Sequence, residues 1–459
     1  MARFRNKTWD ELAVGDTASF KRTVTARDLY LFAHASGNLN PLHLPTEHDT
    51  EPPASVAPSM WIGSLVSSLL GNVLPGPGTL YLEQHFQFIE RARIGDVLTI
   101  SVRLLEKQIK PTVMFETNVT DRDNRLVATG QAKVSAPVEN IEIDQPDLPE
   151  LMLETHDHFT RLLALTENRP AMRCAVVFPT DLNSLAGALL ARQHTLIEPV
   201  LVGPQNIIKQ IADQHQLNLS GVEIEHVETD RKAAQLAVQM VHDGRVQSIM
   251  KGNLHSDDLL GQIVKRDGGL RGKRRISHAF VLDVPTRPDP VIISDAAINI
   301  APDLVTKVDI TQNAIDLARA CGMQRPRVAV LSAVETVNPN IPSSMDAAMI
   351  AKMADRGQIK GGLVDGPLAM DNAIDMDAAR DKHIESAVAG QAQVLVVPNL
   401  ESGNMLAKQL TFMSHAQPAG LVLGAKVPVM LTSRADDDQA RLFSCVLAVL
   451  YSDWLKETA

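Results

Sequence analysis

Cysteine is nearly missing from this sequence. Cys174, Cys321 and Cys445 make no paired spacing, which excludes a disulfide framework and a cysteine metal site and leaves each as a small buried apolar residue. Excess positive charge is missing as well. Lys and Arg number 44 against 54 Asp and Glu, a net charge of -10, the opposite of what holds a phosphate backbone, so a general nucleic-acid binder is excluded. Small anions are not excluded, because local basic patches can sit on an acidic protein. The longest apolar runs, such as Cys445–Tyr451, fall well short of a membrane span, and Met1–Asp16 lacks the apolar core and small-residue cleavage site of a secretory signal. A cytoplasmic protein without membrane contact is expected. No H-E-x-x-H and no paired Cys–His spacing occurs, so no metal is expected. Dinucleotide and nucleotide fingerprints are also absent. The first apolar run of the second half ends in Phe178-Pro179-Thr180-Asp181 rather than G-x-G-x-x-G. Gly268–Lys273 is one residue short of a phosphate loop, with Arg274 where Ser or Thr would hold magnesium.

What is present fits a soluble globular chain of 459 residues, long enough for two or three domains. From about Asp16 to Ala136 the dominant period is two. Val113, Phe115, Thr117 and Val119 alternate with Met114, Glu116, Asn118 and Thr120. Leu98, Ile100, Val102 and Leu104 repeat the pattern, and Leu80, Leu82, Phe86 and Phe88 do so less cleanly. One stretch, Pro58–Val73, has helical spacing, with small residues between Met60, Ile62, Leu65, Val66, Leu69 and Leu70. A sheet wrapped around a buried helix is expected. Pro137–Glu154 has no period and is expected as a linker.

After about His156, eleven short apolar runs alternate with helix-forming stretches: Ala175–Phe178, Val200–Val202, Val222–Val227, Val246–Met250, Ala279–Leu282, Val291–Ile293, Val328–Leu331, Gly362–Val364, Val394–Val397, Gly420–Leu423 and Val427–Leu431. Runs apolar throughout and separated by helices predict a parallel sheet covered on both faces, with ligands at the carboxyl ends of its strands. Polar residues in the following loops are the candidates for chemistry. Lys251, Asn253, His255 and Ser256 open a helix, where they cap it or cradle an anion. Asp365 and Asp371 follow the Val364 run, and either order their loop or meet substrate. Asn404 follows the Val397 run, and Lys426 precedes Ser433 and Arg434 at the last strand. Ser433 and Arg434 are either a helix cap with a surface Arg or an oxyanion grip, since a guanidinium makes two parallel bonds to phosphate oxygens. Lys265–Arg275 is a solvated basic loop or a patch for phosphates. His278, inside a strand, is a structural His or a catalyst.

These loops, with Val334–Pro339 and Met353–Gly361, resemble the phosphate acetyl/butyryltransferases, especially the butyryl branch. The resemblance runs from about Leu153 to the end and is strongest from Lys251 onward. It implies a two-lobed parallel-sheet α/β/α domain, lobe 1 being 156–292 with 425–459 and lobe 2 being 293–424, with a cleft for coenzyme A and phosphate. It implies acyl transfer between coenzyme A and inorganic phosphate, with the thioester as substrate and no further cofactor. Acetyl-type members carry an acid two turns into the last helix, proposed as base for the CoA thiol. Gln439 and Ala440 stand there, and Asp436, Asp437 and Asp438 a turn earlier, so the base is unassigned.

Leu31–His43, Pro75–Gln84 and Gly95-Asp96 resemble the MaoC-type (R)-specific enoyl-CoA hydratases over about Thr8–Pro137. This implies an α+β hot-dog domain at 1–137, a linker at 138–155, and a homodimer or higher homo-oligomer. Hydration of an enoyl thioester uses an Asp and a His to activate water. His43 matches the His, Asn38 stands for the Asp, and Pro58-Ser59 replaces a His-Gly. The half is therefore a weakened hydratase, a non-catalytic acyl-CoA-binding or dimerising module, or a structural one. A bifunctional enzyme with both sites working and a non-catalytic acyl-CoA sensor remain alternatives for the whole chain.

Overall fold

The computed structural model describes residues 3–45, 55–144, 157–287, 289–432 and 437–458. The chain divides into two units, Met1–Leu153 and Glu154–Ala459.

The first unit holds β1 (Arg3–Arg5), β2 (Thr17–Thr23), α1 (Ala26–Ser36), α2 (Ser59–Asn72), β3 (Leu80–Phe88), β4 (Val97–Lys107), β5 (Thr112–Thr120), β6 (Leu126–Ser135) and β7 (Glu142–Asp144). Five of these strands form an antiparallel sheet in the order β2-β4-β5-β6-β3. The period-two residues Leu98, Ile100, Val102, Leu104, Val113, Phe115, Thr117 and Val119 are all buried. They close on Trp61, Ile62, Val66, Leu69 and Leu70 of α2, giving the expected sheet around a helix. Met60 departs from that pattern and lies on the exposed face of α2. Gly63 lets the helix approach the sheet, since a Cβ there would stand 2.9 Å from the Phe86 ring. Of the expected linker, residues 142–144 form β7, paired with β1, and 145–155 lie outside the described residues.

The second unit begins with α3 (Asp157–Ala164) and continues through β8 (Met172–Val177), α4 (Leu182–Gln193), β9 (Ile197–Gly203), α5 (Gln205–Gln214), β10 (Glu223–His226), α6 (Asp230–His242), β11 (Ser248–Lys251) and α7 (Ser256–Ile263). Next come β12 (Ser277–Asp283), β13 (Val291–Ser294), α8 (Leu304–Ala320), β14 (Arg327–Leu331), α9 (Pro342–Asp355), β15 (Leu363–Leu368), α10 (Met370–Ile374) and α11 (Met376–Asp381). The last elements are β16 (Val394–Val396), α12 (Leu400–Met413), β17 (Gln417–Leu423), β18 (Val429–Met430) and α13 (Asp438–Thr458).

All eleven apolar runs become strands of one 11-stranded sheet, ordered β10-β9-β8-β11-β18-β17-β12-β13-β16-β14-β15. Its two ends are parallel, as the runs predict: β10 to β18 form one block, β13 to β15 the other. The centre is not. β17 is antiparallel to β18 and to β12, and β12 is antiparallel to β13. The two blocks therefore point their carboxyl ends toward opposite edges of the sheet. The lobe boundary expected at 292/293 falls inside β13. Helix α13 returns to the first block, packing Phe443 against Phe159 of α3 with ring centroids 4.4 Å apart. All three cysteines are buried, and burial pushes the Cys174 and Cys321 thiols up to about 12, so neither is a nucleophile at neutral pH. Among the described residues no helix is long and apolar enough to cross a membrane, and no cluster of His, Cys, Asp and Glu is placed to hold a metal.

Candidate functional site

The loops leaving β8, β11 and β18 meet at one edge of the first block. Residues after β11 turn back on β8: Gly252 N–H donates to Val177 O at 2.9 Å and Asn253 N–H to Phe178 O at 2.9 Å. Only glycine fits at 252, because a Cβ would lie 2.4 Å from the Val177 carbonyl oxygen. Phe178 is held at φ +56°, a left-handed conformation that a bulky residue adopts only under constraint. The Asn253 amide donates to Thr180 Oγ1 at 3.2 Å, tying the two loops together.

Lys251, at the end of β11, is 2% exposed and donates from Nζ to the Thr432 carbonyl at 3.2 Å. Arg441, on α13, is 1% exposed; its Nη1 donates to Thr432 Oγ1 at 2.7 Å and to Lys251 O at 3.1 Å. Two buried cations thus converge on Thr432. Gly187 of α4 makes room for them, since a Cβ there would stand 2.7 Å from Arg441 Cδ and 2.9 Å from its Cβ. A guanidinium costs several kcal/mol to bury, and the Arg441 hydrogen bonds offset part of that cost while tying Thr432 to the end of β11. Ser433 and Arg434 follow directly and lie outside the described residues, as does Asp436. Asp437 accepts from Ala440 N–H at 2.8 Å, the helix-capping role, while Ala440 is buried and offers no proton acceptor.

The other candidates are placed differently. His255 precedes the first turn of α7 without a side-chain capping bond, and Ser256 is that turn's first residue. Asp365 lies within β15 rather than after it, accepting from Gly366 N–H at 2.8 Å; the strand simply runs past Val364 to Leu368. Asp371 is in α10, where the Asn372 N–H and the Lys382 ammonium, 3.1 Å away, hold its carboxyl below the usual range. Lys382 also pairs with Glu335 at 3.1 Å, so Asp371 belongs to a loop-ordering network. The Asn404 amide donates to Ala296 O at 3.2 Å, fixing α12 to the loop after β13. Asp365, Asp371 and Asn404 belong to the second block, and no hydrogen bond joins them to Lys251 or Asn253 among the described residues. Lys426 stands apart from the Thr432 junction in the strand order. It lies on the amino-terminal side of β18, whereas Thr432 follows the carboxyl end of that strand.

His278 is fully buried at the sheet centre, and burial pushes its imidazole down to about 4, so it stays neutral. That fits its structural reading. The basic segment is anchored internally: Arg274 donates to Asp316 at 2.6 Å and to Asn313 at 3.1 Å. One group escaped sequence reading. Asp295, 2% exposed at the end of β13, accepts from the N–H groups of Ala297, Ile298 and Asn299 at 3.0, 3.1 and 3.0 Å, while burial pushes its carboxyl up. The Asp-Ala-Ala-Ile-Asn run after an apolar strand was its only signal.

In the first unit, α1 ends at Gly37 (φ +69°), and the Asn38 side-chain Oδ1 accepts from Asn40 N–H at 3.2 Å. A short 3₁₀ turn, Pro41–His43, then sets His43, whose Nδ1 donates to Val56 O at 2.8 Å. That bond leaves the lone pair on Nε2. The second atom of the Asn38 side chain is an N–H donor, which takes no proton.

Comparison with known proteins completes the picture. A family model described as "Phosphate acetyl/butaryl transferase" matches residues 221–449. A phosphate acetyltransferase of Rhizobium meliloti is 53% identical over 294 residues, which is 64% of this chain and 93% of that protein. The chain belongs to the phosphate acetyl/butyryltransferase family. A phosphate butyryltransferase of Clostridium beijerinckii is 38% identical over 293 residues, covering 64% of this chain and 97% of that protein. In structure, a branched-chain phosphotransacylase from Enterococcus faecalis V583 aligns at TM-score 0.53 and 28% identity, over 61% of this chain and 99% of that one. The phosphotransacylase unit is preceded by a hot-dog unit, whose residues 13–130 match a model described as "FAS1-like, dehydratase domain region".

Proposed function

We propose that the second unit transfers an acyl group between coenzyme A and inorganic phosphate, with Arg434 and Ser433 as the phosphate-binding pair. The supporting observation is the fixed edge at Thr432. Lys251 and Arg441 anchor the residue from which Ser433 and Arg434 depart. A phosphate oxygen attacks the thioester carbonyl and forms the C–O bond; the tetrahedral oxyanion collapses, the C–S bond breaks, and thiolate leaves to take a proton. Fixed donors facing the developing oxyanion lower the barrier because they need no reorganisation. With Ala440 where an acid stands in acetyl-type members, no residue is assigned as base for the thiol, and in this direction none is needed for departure. Acyl-CoA and phosphate are the only substrates, no further cofactor takes part, and the reaction runs in the cytoplasm.

The amino-terminal unit, in this reading, binds acyl thioesters without hydrating them, since Asn38 removes one of two proton carriers. Exposed Leu80, Leu82 and Phe88 on the edge strand β3 support its self-association, and so a homo-oligomer. Purified protein with acetyl-CoA or butyryl-CoA and phosphate should release free thiol. Arg434→Ala should lower that rate at least 100-fold. Coenzyme A binding without thiol release would replace the transferase reading with the sensor.

A further inference from the structure

Lys426, on the amino-terminal side of β18, has a second setting. A cavity of about 580 Å³ is lined by Gly272–Arg274, by Gly424–Pro428 and by the far end of α13 from Tyr451 to Thr458. It lies at the edge of the sheet opposite the Thr432 junction. β11 and β18 run parallel, Ile249 beside Val429, so Gly244–Gln247 and Lys426–Pro428 enter at one edge and Lys251 and Thr432 leave at the other. Along α13, Tyr451 is about 15 Å from Arg441.

The walls are fixed backbone. Gly272 N–H donates to Gly424 O at 3.1 Å and Lys426 N–H to Leu270 O at 2.8 Å. A Cβ on Gly272 would lie 2.6 Å from Gly424 O, and Gly424 itself is at φ +76° against Arg275 O. The charges are uneven. Arg274 is matched by Asp316 and Lys456 by Asp453, whereas Lys273 and Lys426 have no ion pair or side-chain hydrogen bond among the described residues. Beside them stand the apolar side chains of Val246, Val427, Pro428 and Leu455. Two exposed lysines without an ion pair among the described residues, lining one cavity with these apolar side chains in a chain of net charge -10, select a ligand that is anionic at one end and apolar at the other.

We propose that this cavity is a second ligand site, for a small organophosphate of the nucleoside diphosphate class, its phosphates on Lys273 and Lys426 and its ring on the Val427–Leu455 wall. The site is separate from the acyl-transfer edge and stands whether or not the transferase reading does.

The test is calorimetric titration of the full chain with ADP, with adenosine and with pyrophosphate. ADP should bind more tightly than either fragment. Lys273→Glu/Lys426→Glu should weaken ADP at least tenfold with unchanged thermal melting. The exposed pair Lys209→Glu/Lys232→Glu, which changes net charge equally, should leave ADP affinity within twofold. Absence of ADP binding, equal weakening in both double variants, or no weakening in the first would each overturn the proposal.

Discussion

Arg441 is buried and ties α13 to the ends of β11 and β18. Replacing it by Met removes hydrogen bonds to Thr432 Oγ1 and Lys251 O and leaves both acceptors in a buried place. A loss of about 3 kcal/mol in urea denaturation is expected, together with reduced thiol release. An unchanged denaturation midpoint would contradict the role assigned here. Gly187→Ala attacks the same contact from the other side. The added methyl meets Arg441 Cβ, which cannot swing away as a side-chain tip does, so roughly 2 kcal/mol of destabilisation should follow. In the first unit the informative change is Asn38→Asp. Restoring a carboxylate beside the Asx turn should raise hydration of crotonyl-CoA, read at the loss of enoyl-thioester absorbance. If the variant stays as inactive as the parent, the hydratase resemblance is one of scaffold only.

At the level of elements, β12 ties its stability to pH through His278. Its folded pKa, about 4, lies below the ordinary value of 6.5, so the unfolded chain binds the extra proton between those limits. The stability is fully present above pH 6.5 and drains away as pH falls toward 4, by roughly 3 kcal/mol in all. Chemical denaturation of His278→Phe should show a flatter profile across that window than the wild type. Sequence periodicity located every strand of the large sheet but not their directions, because an apolar run such as Ala279–Leu282 reads the same whether its neighbours are parallel or antiparallel. The last strand is shorter than its apolar run for a related reason. Val427 and Leu431 are apolar, yet only Val429 and Met430 pair, and Lys426 precedes this strand while Thr432 follows it.

For the molecule as a whole, both units were legible because two signals agreed in each. Alternation and a helix of small residues marked the first; apolar runs and polar loop residues marked the second. What stayed hidden depends on contacts between distant segments. Arg441 looks like an ordinary polar residue on a helix until Gly187, from α4, provides the space that buries it. Asp295 looks like a loop acid until its backbone turns back to donate three hydrogen bonds to it.

Strand β18 adds a constraint on how the chain is made. It sits between β11 and β17, so β10, β9, β8 and β11 stay separated from the rest of the sheet until the segment after residue 424 has emerged and been threaded into place. The small sheet of the first unit is complete by residue 135 and waits for nothing downstream. During translation the hot-dog unit can therefore close early, while the larger unit keeps two unpaired edges, β11 and β17, open until its synthesis is nearly over. A chain stopped short of β18 would expose those edges to other copies and should aggregate rather than accumulate as a folded fragment.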